Sequence, residues 1–130
     1  MPQTPLKASK KTEDDSLELS VVIPMRNEEG NVLPIVNEVN AALAQLGHFE
    51  IICVDDGSDD NTENELRQAK ISFPKLRIIQ HLQPCGQSTA TRTGICAAYA
   101  PWIVTLDGDG QNPPSEIVNL VNAREHALEK

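Results

Sequence analysis

Residues 49–62 read FEIICVDDGSDDNT, and this stretch decides the fold. Ile51, Ile52, Cys53 and Val54 form an unbroken apolar run rather than an alternating one. Such a run at strand length implies burial on both faces, as in a parallel sheet covered by helices. The strand predicted over Phe49–Val54 gives way to two adjacent aspartates. Asp55–Asn61 is predicted as loop, followed by a helix over Thr62–Lys70.

Working outward, Leu19–Ile23 is a second short, β-branched strand, with Pro24 expected to stop it. Val32, Val36, Val39, Leu43 and Leu46 then lie on one apolar face, which predicts a helix over Asn31–Leu46 ended by Gly47. Pro34 falls in its first turn, where no intrahelical donor is needed. Beyond the central stretch come a strand over Arg77–Gln80, a loop at Pro84–Gln87 and a small-residue helix over Ser88–Tyr99. A strand over Trp102–Leu106 leads into Asp107-Gly108-Asp109-Gly110-Gln111, and a last helix follows Pro113-Pro114. The alternating βαβαβαβα order predicts an α/β fold: an open, mostly parallel sheet with helices on both faces. Residues 19–130 read as one domain, preceded by a flexible polar leader over residues 1–18.

The 130 residues carry a formal charge of −8, which argues against broad attraction to nucleic acid or anionic lipid. Hydrophobic residues make up 39%, enough for a core, whereas aromatics at 3% leave few stacking surfaces. Three cysteines in no CxxC pair point to a reducing, cytoplasmic setting. The apolar runs are too short to span a membrane, and the first residues contain no signal-like apolar segment. Neither GxGxxG nor GxxxxGK[ST] occurs.

In open α/β sheets, ligands bind beyond the carboxyl ends of the strands, and both acidic clusters follow strands. Asp107 and Asp109, one glycine apart, can aim two carboxylates at one cation, with Gln111 adding a neutral donor. An all-oxygen set favours Mg²⁺ or Mn²⁺ over zinc; the alternative is a plain polar turn. Of Asp55 and Asp56, one can accept from a base N–H or a ribose hydroxyl while the other holds the loop; capping of the next helix is the alternative, and the one favoured for Asp59 and Asp60. Arg26 can meet a phosphate or a base and Glu28 a ribose, or else Glu28 and Glu29 form a solvated acidic pair ahead of a helix. Arg92 can face a diphosphate or lie on the surface. Cys53 and Cys96 read as core, and Cys85 as a loop thiol with no base near it in sequence. His48, His81 and His126 are scattered without ligand spacing, and Trp102 reads as packing at the sheet edge.

Three motifs taken in order carry a resemblance: VVIPMRNEE at 21–29, VDDGSDDNT at 54–62 and LDGDGQNPP at 106–114. Together they resemble the family 2 glycosyltransferases of the GT-A fold, most closely the branch of dolichol-phosphate mannosyltransferase and the undecaprenyl-phosphate sugar transferases. The resemblance covers about residues 19–130. It implies the Rossmann-like nucleotide-binding half of that fold, with the C-terminal acceptor part absent. It further implies metal-dependent, inverting transfer from a nucleoside-diphosphate sugar to an acceptor such as a polyprenyl phosphate. On this likeness Pro24, Arg26 and Glu28 cup the base, and Asp56, with Asp55 behind it, meets the base or ribose. Asp107 and Asp109 hold Mg²⁺ or Mn²⁺ on the diphosphate, with Gln111 as a further metal or phosphate contact. Asp109 and Arg92 are the expected catalytic residues, stabilising charge on the departing diphosphate. Where the family commonly has an aromatic, this chain has Arg26, and Cys85 replaces a frequent Asn. The likeness implies no nucleic-acid partner; membrane contact is expected only through the missing C-terminal part or the lipid acceptor, with the full-length protein at the cytoplasmic face of a membrane.

Two other readings stand beside it. One is a truncated, non-catalytic remnant that keeps donor-binding features. The other is a DxD phosphatase-like domain, suggested by VTLDGDG at 104–110, which leaves the DDGS cluster unexplained. A phospho-receiver domain fits the size but places its acidic pair after the first strand.

Overall fold

A computed structural model describes residues 17–108 together with Asn119, which is helical. The elements run β1 (Leu19–Met25), α1 (Val32–Ala42), β2 (Phe49–Asp56), α2 (Thr62–Ser72), β3 (Leu76–His81), α3 (Gln87–Ala97) and β4 (Trp102–Thr105). Residues 1–16 of the leader expected over residues 1–18, the turn residues Asp109, Gly110 and Gln111, and the last helix apart from Asn119 lie outside the described residues.

The four strands pair in parallel in the order β3-β2-β1-β4, so the α/β expectation holds. Val21, Ile23, Ile51 and Cys53 turn to one face of the sheet, where they pack with Val32, Val36 and Val39 of α1 and Leu66 of α2. Val22, Ile52 and Val54 turn to the other face and meet Ala90 of α3. Burial on both faces is the reason the strand sequences are continuously apolar. Burial also pushes the Cys53 thiol up to about 12, leaving it an inert core group. α3 approaches closely because its inner surface is built of small residues: a Cβ on Gly94 would stand 2.4 Å from Val22 Cγ1.

Several boundaries differ from the sequence expectations. Pro24 does not end β1, since it pairs with Val54 in the ladder to β2. The Val22 carbonyl accepts from Leu106 N at 2.9 Å, so by alternation the backbone of Pro24 also faces β4, beyond the last paired residue of that strand. No ladder bond is lost there. Asp55 and Asp56 are not loop residues: β2 carries them in register with Gln80 and His81. α1 stops at Ala42 rather than Leu46, and Leu43–Leu46 continue as turns that still bury Leu43. Cys96, expected in the core, is exposed, because α3 turns Ala90 and Gly94 inward and Cys96 lies only two residues further on. Trp102 does sit on an edge strand, 42% exposed. No helix among the described residues is long and apolar enough to cross a membrane.

At the amino end of the sheet a buried carboxylate ties three strands together. Glu50 accepts from Ser20 Oγ at 2.6 Å, Arg77 Nη1 at 2.7 Å and the Tyr99 amide at 2.8 Å. Ser20 Oγ in turn accepts from the Ala100 amide, and the Arg77 guanidinium stacks on the Tyr99 ring at 4.5 Å. Glu50→Ala should therefore cost about 3 kcal/mol, because it orphans donors that are largely removed from water. Urea unfolding measures this; a loss under about 0.5 kcal/mol would show the network to be idle.

Candidate active site

β1, β2 and β3 follow one another outward across the sheet, and the chain then returns to place β4 on the other side of β1. The gap between the carboxyl ends of β1 and β4 is thus a topological switch point, the position at which open α/β sheets bind ligands. A cleft of about 350 Å³ lies at this edge. Pro24, Met25, Arg26 and Glu28 line it from β1 and its following loop, Asp56 from β2, Gly86 and Gln87 from the start of α3, and Asp107 and Gly108 from the end of β4.

The Asp107-Gly108 turn is pressed against β1. A Cβ at Gly108 would come within 2.6 Å of the Pro24 carbonyl and 2.9 Å of Met25 Cγ, so only glycine permits this approach. Asp107 is left half-buried at the cleft, its Oδ1 accepting from Gln87 Nε2 at 3.0 Å. Asp56 is buried at the opposite wall. Its Oδ1 accepts from His81 Nδ1 and from the Cys85 amide, both at 2.8 Å, and its Oδ2 from the Gly86 amide at 2.9 Å. Burial pushes this carboxyl up, but the bonds from His81, Cys85 and Gly86 outweigh it and hold the group below its ordinary value.

The loops after β1 and β2 are laced to each other. Asn27 N donates to Ser58 Oγ at 2.9 Å, and Asp59 N donates back to Asn27 Oδ1 at 3.0 Å. The Glu28 amide donates to Thr62 Oγ1, the Glu29 amide to Asp60 Oδ2, and Asn61 N to Glu29 Oε1. Asp60 Oδ1 accepts from both the amide and the hydroxyl of Thr62, so the expected capping role of Asp60 is joined to a second one of holding the neighbouring loop. Sequence reasoning missed Asn27, Thr62 and also Glu65, whose carboxylate accepts from the Gly30 amide at 3.0 Å; the density of Asn, Asp, Ser and Thr at 58–62 was the visible signal of this clasp.

Of the residues singled out in the sequence, Pro24, Arg26, Glu28, Asp56 and Asp107 meet at the cleft. Asp55 does not line it: alternation turns it to the α1 and α2 face, where Oδ1 accepts from Ser58 N at 3.1 Å and Oδ2 is buried without a partner among the described residues. Arg92 is exposed on α3, two residues from each of the inward-facing Ala90 and Gly94, and is not among the cleft residues. Asp109 and Gln111 lie outside the described residues. The expectation that histidines and cysteines have no ligand-like grouping is corrected by the fold: β3 and its following loop bring His81 and Cys85 to Asp56, with one ligand atom from each within 4.8 Å of the others.

A mostly parallel sheet flanked by helices, with a carboxylate-lined cleft at its switch point, is consistent with the Rossmann-like core of a GT-A fold. The chain belongs to glycosyl transferase family 2, whose family model matches residues 20–127. It is 40% identical to dodecaprenyl-phosphate galacturonate synthase of Rhizobium johnstonii over 127 residues, 95% of this chain and 38% of that protein. It is 42% identical to an undecaprenyl-phosphate 4-deoxy-4-formamido-L-arabinose transferase of Pectobacterium carotovorum over 111 residues, 83% of this chain and 34% of that protein. The chain thus spans little more than a third of the length of these curated relatives. Among solved structures it shares the fold of S. aureus TarS in complex with UDP-GlcNAc (TM-score 0.64, 21% identity, 82% of this chain and 30% of that chain). It also shares the fold of a mannosyltransferase from Pyrobaculum calidifontis in complex with GDP-Man and Mn²⁺ (TM-score 0.58, 22% identity, 71% of this chain and 27% of that chain).

The clasp carries a pH dependence. Burial raises the Asp60 carboxyl, but bonds from the Thr62 hydroxyl and the Thr62 and Glu29 amides bring it below its ordinary value. Its contribution to stability is fully present above the unfolded value, about pH 4, and is lost as pH falls through the lower folded value. Urea midpoints measured from pH 6 down to pH 3 should fall less steeply for Asp60→Ala than for the wild type. Parallel curves would mean that Asp60 contributes nothing to the acid sensitivity.

Proposed function

We propose that residues 19–130 are the donor-binding part of a metal-dependent, inverting glycosyltransferase. The donor is a nucleoside-diphosphate sugar and the acceptor a polyprenyl phosphate. The observation that carries this reading is the meeting of the β1, β2 and β4 ends at one cleft, where Arg26, Glu28, Asp56 and Asp107 converge. The named activities of the relatives, which act on dodecaprenyl and undecaprenyl phosphates, favour the same acceptor class.

Charge decides how such a donor is held. The cleft presents the carboxylates of Glu28, Asp56 and Asp107 against the single guanidinium of Arg26. A diphosphate entering this field needs positive charge that the lining itself does not supply. The oxygen donor of Asp107, fixed by Gln87 and carried on a turn that only glycine allows, suits a hard divalent cation. Asp109 and Gln111 would complete the set that holds Mg²⁺ or Mn²⁺. When bound, that ion supplies electrostatic stabilisation of the diphosphate oxygens as the sugar departs. Arg26, at the exposed mouth, lays its guanidinium plane against the base or pairs with a phosphate. Asp56 Oδ2 keeps acceptor capacity for a ligand N–H or hydroxyl, and its bonds to the Cys85 and Gly86 amides orient the start of α3 beside the phosphates. A phosphate acceptor is already anionic and attacks without a strong base, so the chain needs to orient the donor and exclude water more than to move a proton.

Calorimetric titration with UDP- and GDP-sugars tests the reading. At least one donor should bind in the presence of Mn²⁺, lose affinity at least tenfold on chelation and lose a similar factor in Asp107→Ala. Binding that ignores both chelation and the substitution would overturn the metal-dependent site.

A further inference from the structure

The outer wall of the cleft holds a second constellation that donor binding does not use in full. Asp56 comes from the last residue of β2, His81 from the last residue of β3, and Cys85 from the loop before α3. A carboxylate oxygen, a ring nitrogen and the thiol sulfur from these residues all lie within 4.8 Å of one another. We propose that Asp56, His81 and Cys85 form a binding site for a thiophilic divalent cation of the zinc class, separate from the oxygen site at Asp107.

The donor set argues for the class of ion. One sulfur, one imidazole nitrogen and one carboxylate oxygen suit a borderline-soft cation, whereas Mg²⁺ and Mn²⁺ prefer oxygen alone. Tetrahedral ligands at bond lengths of about 2.0–2.3 Å stand roughly 3.2–3.8 Å apart, so the three atoms need to adjust by about an ångström. Cys85 can make that adjustment. Its side chain is exposed, and its Sγ donates only a weak bond, 3.3 Å long, to the Gln83 carbonyl.

Surrounding bonds already orient the other two ligands. Thr93 Oγ1 donates to the Thr89 carbonyl at 3.0 Å, so its lone pairs are left for His81 Nε2 at 2.9 Å. His81 Nε2 is therefore engaged by Thr93, and Nδ1 is the nitrogen directed at Asp56. An outer hydrogen bond of this kind fixes ring orientation at most histidine-ligated metals. Asp56 is held by the Cys85 and Gly86 amides, which stay in place when Oδ1 turns from a proton to a cation. Binding exchanges two protons, the one between His81 Nδ1 and Asp56 Oδ1 and the one on the Cys85 thiol, for one cation, and both protons pass to solvent. Three protein ligands would leave a fourth position open to water or substrate, and one of the three, Asp56, lines the cleft.

Cobalt provides the readout, since thiolate ligation gives an intense near-ultraviolet charge-transfer band and tetrahedral geometry gives strong visible bands. Titrating the 130-residue chain with Co²⁺ should produce both, saturating at one ion per chain, and Zn²⁺ should displace the ion whereas excess Mg²⁺ should not. Cys85→Ala should abolish the charge-transfer band and weaken Zn²⁺ binding at least tenfold, while Cys96→Ala, which removes the other exposed thiol, should leave both unchanged. Thr93→Val should weaken Zn²⁺ binding by about tenfold through the lost outer bond. Circular dichroism on each variant separates unfolding from ligand loss. Absence of the band in the wild type, or its persistence in Cys85→Ala, overturns the site. Neither outcome bears on donor binding, which is read separately through Mn²⁺ and Asp107.

Discussion

The carboxylate of Asp56 is the contact on which the ligand-facing edge depends. It stands at the end of a central strand and is 3% exposed, so it must be repaid for lost hydration by bonds from the protein. Those bonds come from three places that are remote in sequence: the end of β3 through His81, the following loop through Cys85, and the start of α3 through Gly86. One buried charge thus sets where β3 ends and where α3 begins. Because Gln87 follows directly and bonds to Asp107, the same charge reaches the far wall of the cleft through Gly86 and Gln87 alone.

A second carboxylate does the equivalent work at the other end of β2. Glu50 gathers Ser20, Arg77 and the Tyr99 amide, fixing β1, β3 and the approach to β4. Between these two charged ends Ile51, Ile52, Cys53 and Val54 form an apolar run, and the core clusters on either face are contributed by residues of alternate parity. The hydrophobic interior supplies most of the driving force but is tolerant of sliding. A parallel strand with a bonded carboxylate at each end has one register, since a shift of one residue would move both charges to the opposite face.

The sheet was legible in the sequence because continuous apolar runs separated by helical periodicity have few other folded solutions. Cleft residues at strand ends were legible for the same reason: once Val54 and Leu106 are known to end or flank strands, the aspartates after them must share an edge. What stayed hidden depends on contacts between distant segments. Nothing local marks Glu50 as more than one acidic residue in a strand, because its partners lie up to 49 positions away. Pro24 looked like a stop because its missing donor is costly only on the side where a ladder exists, and the position of β4 is set by the last connection in the chain. Cys96 looked buried from composition alone, whereas its exposure follows from the small inner face that α3 needs to lie close to Val22. His81 and Cys85 are four residues apart, unremarkable as a spacing, and acquire meaning only when β3 sets the first of them beside the end of β2.

The acidic residues of this edge can be sorted by how far their capacity is used within the chain. Asp60 makes three bonds and Asp56 three, so both act chiefly on the polypeptide. Asp55 uses one oxygen on Ser58 and keeps the other buried at the α1 and α2 face, away from the cleft. Glu28 accepts from the Asn31 side chain, and Asp107 from Gln87. The β1 loop and the Asp107 turn flank the switch point from its two sides. Both are also anchored through the backbone: the Glu28 amide donates to Thr62 Oγ1, and the Asp107 turn lies against β1 because Gly108 has no Cβ. A site built this way fixes the positions of its carboxylates through the backbone as well as through their own side-chain bonds, and such preorganisation is what the proposed cation-mediated binding of an anion would require.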